Sequence, residues 1–202
     1  MGKNVIPNAP YAFKHSARFQ GKYLEEFIFK NSEVFFQLEE RTRRAEGDAL
    51  SKQIEFLVEA SKTIESAIVC PYCREKGIKF LLFFDHRAFN INWSCCEDEE
   101  CKKALLQARE DDRLVPLDLS GLRGIKRKTS RRKAELVFRK AFKLKKSASA
   151  ERVFFLFHSS YKRNMKSLEK EKQNNEEEDF LPMRLRYQAR PSDAIQLDLF
   201  NK

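Results

Sequence analysis

Apolar residues recur at helical spacing through most of this chain and alternate in strand fashion in one place only. From Lys22 to about Ala45, Leu24, Phe27, Ile28, Phe35 and Leu38 follow a helical period, with Gly47 as a stop. Asn31-Ser32 is a point where this helix can break in two. Asp48 is a good N-cap for a second helix, whose stripe is Leu50, Ile54, Leu57, Val58, Ser61, Ile64 and Ile68. The pair predicts an antiparallel helical hairpin leading directly into residue 70. Before it, Pro7, Pro10 and Gly21 interrupt any period. Tyr11, Phe13 and Phe19 are expected to pack residues 1–20 down as an irregular arm.

The alternating stretch comprises Ile78 to Phe84 and Phe89 to Cys95, joined by Asp85-His86-Arg87-Ala88. All five cysteines surround it: Cys70 and Cys73 before, Cys95, Cys96 and Cys101 after. A C-x-x-C loop aims two thiolates at one point, and a second pair beyond a hairpin closes a tetrahedron around Zn²⁺. Cys70, Cys73 and Cys101 are three ligands of that set. The fourth is Cys95 or Cys96; Phe89, Ile91, Trp93 and Cys95 share the apolar strand face, which favours Cys95. The spacing Cys95-x5-Cys101, with Trp93 two residues ahead, resembles the short zinc ribbons at the end of bacterial type I topoisomerases. A closed four-thiolate site leaves no position for water, so the zinc is expected to be structural. A helix opening near Asp98 carries Cys101 and runs to about Glu110, with Ala104, Leu105 and Ala108 inward, and Leu114-Val115-Pro116-Leu117 ends it.

Composition changes beyond this module. Between Gly121 and Lys146 there are twelve Lys or Arg and one acid, Glu135, which concentrates much of the +10 net charge in one segment. Gly121 and Gly124 predict a loop before a helix starting near Ser130. Ala134, Val137, Phe138, Ala141 and Phe142 form its apolar face. The basic positions of the segment include Arg123, Lys126, Arg127, Lys128, Arg131, Arg132, Arg139, Lys143 and Lys146. With the net charge of +10 they favour a polyanionic partner, nucleic acid first and an acidic membrane surface second, and DNA, single- or double-stranded, is the expected one. After Ser147-Ala148-Ser149, residues 151–170 read as a helix rather than a strand, since no hairpin partner follows Val153 to Phe157. Residues 171–179 are polar and acidic without periodicity and read as a solvated linker.

The tail ends Gln196-Leu197-Asp198-Leu199-Phe200-Asn201-Lys202. Its pentapeptide Gln196 to Phe200 resembles the bacterial sliding-clamp-binding motif, Gln-Leu-Ser/Asp-Leu-Phe, at all five positions, beyond a linker at the end of the chain. The resemblance implies that Leu199 and Phe200 anchor in an apolar pocket, that Gln196 occupies a second subsite, and that Leu197 and Asp198 span the distance. A bacterial-type clamp is implied as partner. The eukaryotic and archaeal motif requires aromatic residues where Asn201 and Lys202 stand.

The expected fold is mainly α, with a small zinc-bound β-hairpin inserted between helices. The divisions are an arm and helical hairpin over 1–69, a zinc module over 70–110, a basic helical region over 111–170 and a flexible tail over 171–202. No apolar run reaches the roughly 18 residues of a membrane span. Residues 1–6 lack a signal-peptide core and the Ser or Thr that myristoylation prefers at position 6, so a cytoplasmic, nucleoid-associated location is expected. His15, His86 and His158 are the histidines. Asp85-His86 is superficially similar to the Asp-His of HNH nucleases, but that family needs a longer loop with a later Asn and His before its second cysteine pair. The sequence thus points to a non-enzymatic DNA-binding accessory protein tethered to a clamp. The alternatives are a clamp-recruited metal-dependent nuclease and a zinc-ribbon regulator without clamp contact.

Overall fold

The computed structural model describes residues 6–14, 16–43, 48–83, 94–106, 113–145 and 147–179. Two compact units divide the chain, Met1–Arg163 and Asn164–Lys202. The first is mainly helical around a small antiparallel sheet.

The arm packs as expected. Phe13 is buried, with its ring 5.3 Å from those of Tyr11 and Phe19 and 6.1 Å from that of Phe27. The helix break also falls at Asn31. Helix α1 (Leu24–Lys30) and helix α2 (Ser32–Thr42) meet there, with Asn31 at φ −159° and ψ 70°. Leu24, Ile28 and Phe35 are wholly buried, so the break keeps both apolar stripes on the core. Gly47 lies outside the described residues. Helix α3 (Ala49–Lys62) opens on Asp48, whose carboxylate accepts the Ser51 N–H at 2.5 Å.

Helix α3 stops at Lys62, short of the expected run to residue 68. Thr63 closes it, and its hydroxyl bonds back to Ala60 O at 2.9 Å. The chain then crosses to the cysteines as an irregular segment bent at Ala67 and Ile68, where Ser66 hydroxyl accepts Ile68 N–H at 3.1 Å. Ile64 is still buried, and Ala67 N–H donates to Ala141 O at 2.7 Å. Ser61, counted as part of an apolar stripe, is a tie between elements: its hydroxyl accepts Leu119 N–H at 3.0 Å and donates to Val58 O at 2.6 Å.

The hairpin forms as β1 (Phe80–Phe83) and β2 (Ser94–Cys95), pairing Phe80 with Cys95 and Leu81 with Ser94. The joining residues 84–93, with His86 and Trp93, lie outside the described residues. Helix α4 (Glu99–Leu106) follows. Leu105 is buried, but Ala104 is exposed rather than inward; Ala108 lies outside the described residues. Leu114 to Pro116 is not a helix stop. It belongs to a third strand, β3 (Arg113–Pro116), on the free edge of β1, giving the order β2-β1-β3. Pro116 sits at the last position of that edge strand, where a missing N–H costs nothing in the ladder.

The expected loop at Gly121 is a short helix, α5 (Leu119–Arg123), capped by Asp118, which accepts Gly121 N–H at 2.9 Å. Gly121 is required by closeness: a Cβ there would lie 2.0 Å from Pro116 O. Helix α6 (Lys128–Ala141) buries Ala134, Val137, Phe138 and Ala141. Helix α7 (Ala150–Asp179) forms helix over residues 152–158 and continues through residues 171–179, where the sequence predicts a linker. In the first unit Ser160 hydroxyl donates to Thr63 O at 2.7 Å, tying α7 to the end of α3. Among the described residues no helix is long and apolar enough to cross a membrane.

Candidate metal centre and cationic face

The knuckle is built by backbone turns. Cys70 N–H donates to Lys76 O at 2.8 Å, and Arg74 N–H donates to Cys70 O at 2.9 Å. Val69 and Gly77 form an isolated antiparallel bridge that closes the loop's base. Arg74 takes up the left-handed conformation, φ 59°, at a cost of about 1 kcal/mol for a residue with a Cβ. That turn directs the N–H groups of Lys76 and Glu75 at the Cys73 sulfur. They pull its thiol down to about 7, toward the thiolate that a metal requires.

The second pair arrives from the opposite side. Cys96 leaves the end of β2. Asp98 caps α4 by accepting the N–H of Glu100 at 3.0 Å and of Cys101 at 3.2 Å, which fixes Cys101 in the first turn. The same donors hold the Asp98 carboxyl below its usual range. The Sγ atoms of Cys70, Cys73, Cys96 and Cys101 lie within 4.8 Å of one another, with Cys73 and Cys96 3.8 Å apart. A tetrahedron of thiolates at a Zn–S distance of about 2.3 Å has edges of about 3.8 Å. The four residues are close enough to hold a metal ion, and sulfur would then take all four positions of a tetrahedral site.

Cys95 does not join them. It is the fifth thiol, wholly buried in the core, and burial pushes it up to about 12. Following the apolar face of β2 carries its side chain into the core, and the next residue, on the opposite side of the pleat, faces the knuckle. The alternation that favoured Cys95 is the reason Cys96 is the one brought to the group. Burial also raises the thiols of Cys96 and Cys101. Buried thiols that disfavour ionisation release their protons when a cation compensates them.

Several of the predicted basic residues are held by partners within the fold. Arg123 pairs with the buried Glu39 at 2.6 Å, and Lys128 lies 3.9 Å from Glu33. Arg131 donates to Ile125 O at 2.8 and 2.9 Å and lies 5.7 Å over the Phe36 ring, so it pins α6 to its neighbours. Arg139 is half-buried, with Nε shielded from solvent. Lys126, Arg127, Arg132 and Lys143 are exposed; Lys146 lies outside the described residues. The structure adds Lys133 and Lys140, exposed on the same face of α6 as Arg132, around Leu136, which is 50% exposed. Their i, i+3, i+4, i+7 spacing made them readable from the sequence. Glu135 is turned inward and accepts the Ser32 hydroxyl at the start of α2. The outward face of α6 is thus cationic without an acid of its own helix. Gln196, Leu197, Asp198, Leu199 and Phe200 lie outside the described residues. His158 is packed against Phe154 and Phe56, with ring distances of 5.3 and 6.2 Å, which lowers its proton affinity through burial.

Comparison of the chain with protein-family models, with curated proteins and with solved structures returned no match.

Proposed function

We propose that this protein is a DNA-binding accessory factor held at a bacterial-type sliding clamp, with Zn²⁺ as a structural metal. It would act in replication, repair, mobile-element replication or clamp-coupled transcription at the nucleoid. The observation that carries the DNA reading is the outward face of α6. Arg132, Lys133 and Lys140 lie there together, and among the described residues no carboxylate pairs with any of the three. Fixed cations on a rigid helix displace condensed counterions from phosphates, so binding should be sequence-tolerant and steeply salt-dependent. The zinc reading is supported by the thiol spacing and by a donor set made wholly of cysteine, which suits zinc over harder cations. The clamp reading is supported by the five matched positions of Gln196 to Phe200.

Reversing three exposed charges, Arg132→Glu, Lys133→Glu and Lys140→Glu, should abolish binding to a labelled DNA at moderate salt and leave the thermal midpoint nearly unchanged. Arg139 is left in place because it is half-buried. Affinity that ignores both salt and the triple reversal would remove α6 as the DNA face. The clamp contact is read separately, by titrating a fluorescent peptide, Ala194 to Lys202, into a bacterial clamp. Leu199→Ala with Phe200→Ala should eliminate the signal, because those two side chains carry the apolar anchorage. Equal binding by both peptides, or none by either, would sink the tether. DNA binding by the full chain should survive the tail change, while joint binding to clamp-loaded DNA should exceed either contact alone.

A further inference from the structure

Helix α7 turns one aromatic ring outward between two that it buries. Phe154 and Phe157 are buried, and they fix the rotation of the helix. Phe155, between them, is 63% exposed. It is flanked on its own face by Arg152, one turn before, and Lys162, two turns after, both exposed. Glu151 is the acid on that side, and its carboxylate is held by the Ser149 hydroxyl. Arg152 also faces the end of α6 across a shared depression. With Lys143 and the acid Glu65 it borders a depression of about 340 Å³ among the end of α6, the start of α7 and residues 64–67. Lys143 and Arg152 thus place cations on this depression beside the single acid Glu65, and Arg152 lies one helical turn from the ring of Phe155.

We infer that Phe155 is a stacking platform for an unpaired nucleobase, and that the preferred ligand of this face is single-stranded DNA. The inference rests on the DNA-binding reading and names its substrate class. A ring standing in solvent beside fixed cations gives up its hydration when a base covers it, while the cations take the adjoining phosphates. In a duplex each base face is already covered by its neighbours, so the ring gains nothing there. Stacking is tolerant of sequence, as every base has a π face.

The test uses the full chain with a fluorescent oligo-dT and a blunt duplex of equal length. Wild type should bind oligo-dT more tightly. Phe155→Ala should weaken oligo-dT binding by about 5- to 100-fold and leave duplex binding within about twofold. The salt slope should not change, because the phosphate contacts are unchanged. Phe155→Trp should restore affinity and add indole quenching on binding, whereas Phe155→Leu, apolar but without a π face, should behave like alanine. An exposed site makes all three variants expected to fold, which circular dichroism checks. If wild type binds DNA and Phe155→Ala is indistinguishable from it, the platform is overturned and the DNA reading stands. If Phe155→Leu binds as wild type does, the residue is an apolar docking point and the platform is likewise overturned. If wild type binds neither ligand, both readings fall together.

Discussion

Cys96→Ser should leave the protein without its metal and unfold the module around the knuckle, whereas Cys95→Ser should leave the metal bound. The two cysteines are adjacent and both wholly buried, so burial alone predicts equal effects. Geometry separates them. Cys96 lies with Cys70, Cys73 and Cys101 in the group of four sulfurs, and Cys95 packs in the apolar core. Structural zinc contributes on the order of 10 kcal/mol or more of folding free energy at neutral pH, comparable to the whole stability of a domain. Loss of one thiolate from a closed set of four forfeits much of that. Cys95→Ser instead places a hydroxyl in an apolar site at a cost of roughly 1–3 kcal/mol, with the metal retained. Native mass spectrometry of the purified variants reads the metal directly, and thermal melting reads the fold. A metal-free Cys95→Ser beside a zinc-bound Cys96→Ser would reverse the assignment. A well-folded wild-type protein carrying no metal would remove the centre altogether. Chelation of the wild-type protein should reproduce the Cys96→Ser phenotype.

What the sequence disclosed here followed from local chemistry. Asn31 between two apolar stripes, Asp48 ahead of a helical period and the C-x-x-C loop each act within a few residues, and each stands where local rules placed it. The misreadings depended on distant partners. Leu114-Val115-Pro116 carries too few residues and a proline, and becomes a strand only because β1 offers a free edge. Gly121 read as a loop residue, yet Asp118 caps a helix turn there and Pro116 O leaves no room for a side chain. Residues 171–179 lack apolar periodicity but continue α7, whose earlier turns supply the nucleus that a short polar segment cannot form alone. The choice between Cys95 and Cys96 turned on which side of the pleat faced the knuckle. Alternation identifies two faces but does not say which one holds the metal.

Glu25 shows the same limit most sharply, and it carries the second large effect. In sequence it is an ordinary acid in the first turn of a helix. In the structure it is wholly buried beneath the N-terminal arm. Its carboxylate accepts the Tyr11 N–H at 3.2 and 3.3 Å and the Gln53 amide at 2.5 Å, and Gln53 also reaches Ala9 O at 3.4 Å. Burial raises the carboxyl from 4.5 to about 7, with a lesser push from Glu151; the hydrogen bonds to Gln53 and Tyr11 oppose the rise without cancelling it. A folded-state value above the unfolded one means that the folded protein holds the extra proton between those two pH values. Stability from this group is therefore fully present below about pH 4.5 and is lost as pH rises through about 7. The shift corresponds to roughly 3 kcal/mol at pH 8 and above, at about 1.4 kcal/mol per unit. Glu25→Gln keeps the shape and the neutral state but cannot ionise. Taking the amide as equal to the protonated carboxyl, the variant should exceed wild type by about 1.4 kcal/mol at pH 5.5 and by about 3 kcal/mol at pH 8.5. Urea denaturation of both proteins at pH 5.5, 7 and 8.5 measures this. Because thiolate–metal bonds strengthen as pH rises, the difference between the two proteins is the quantity to follow, since any metal contribution common to both cancels in it. Parallel stability curves for the two proteins across that range would show that Glu25 stays ionised beneath the arm. A variant less stable than wild type at every pH would assign its value to the hydrogen bonds from Tyr11 and Gln53 rather than to a buried proton.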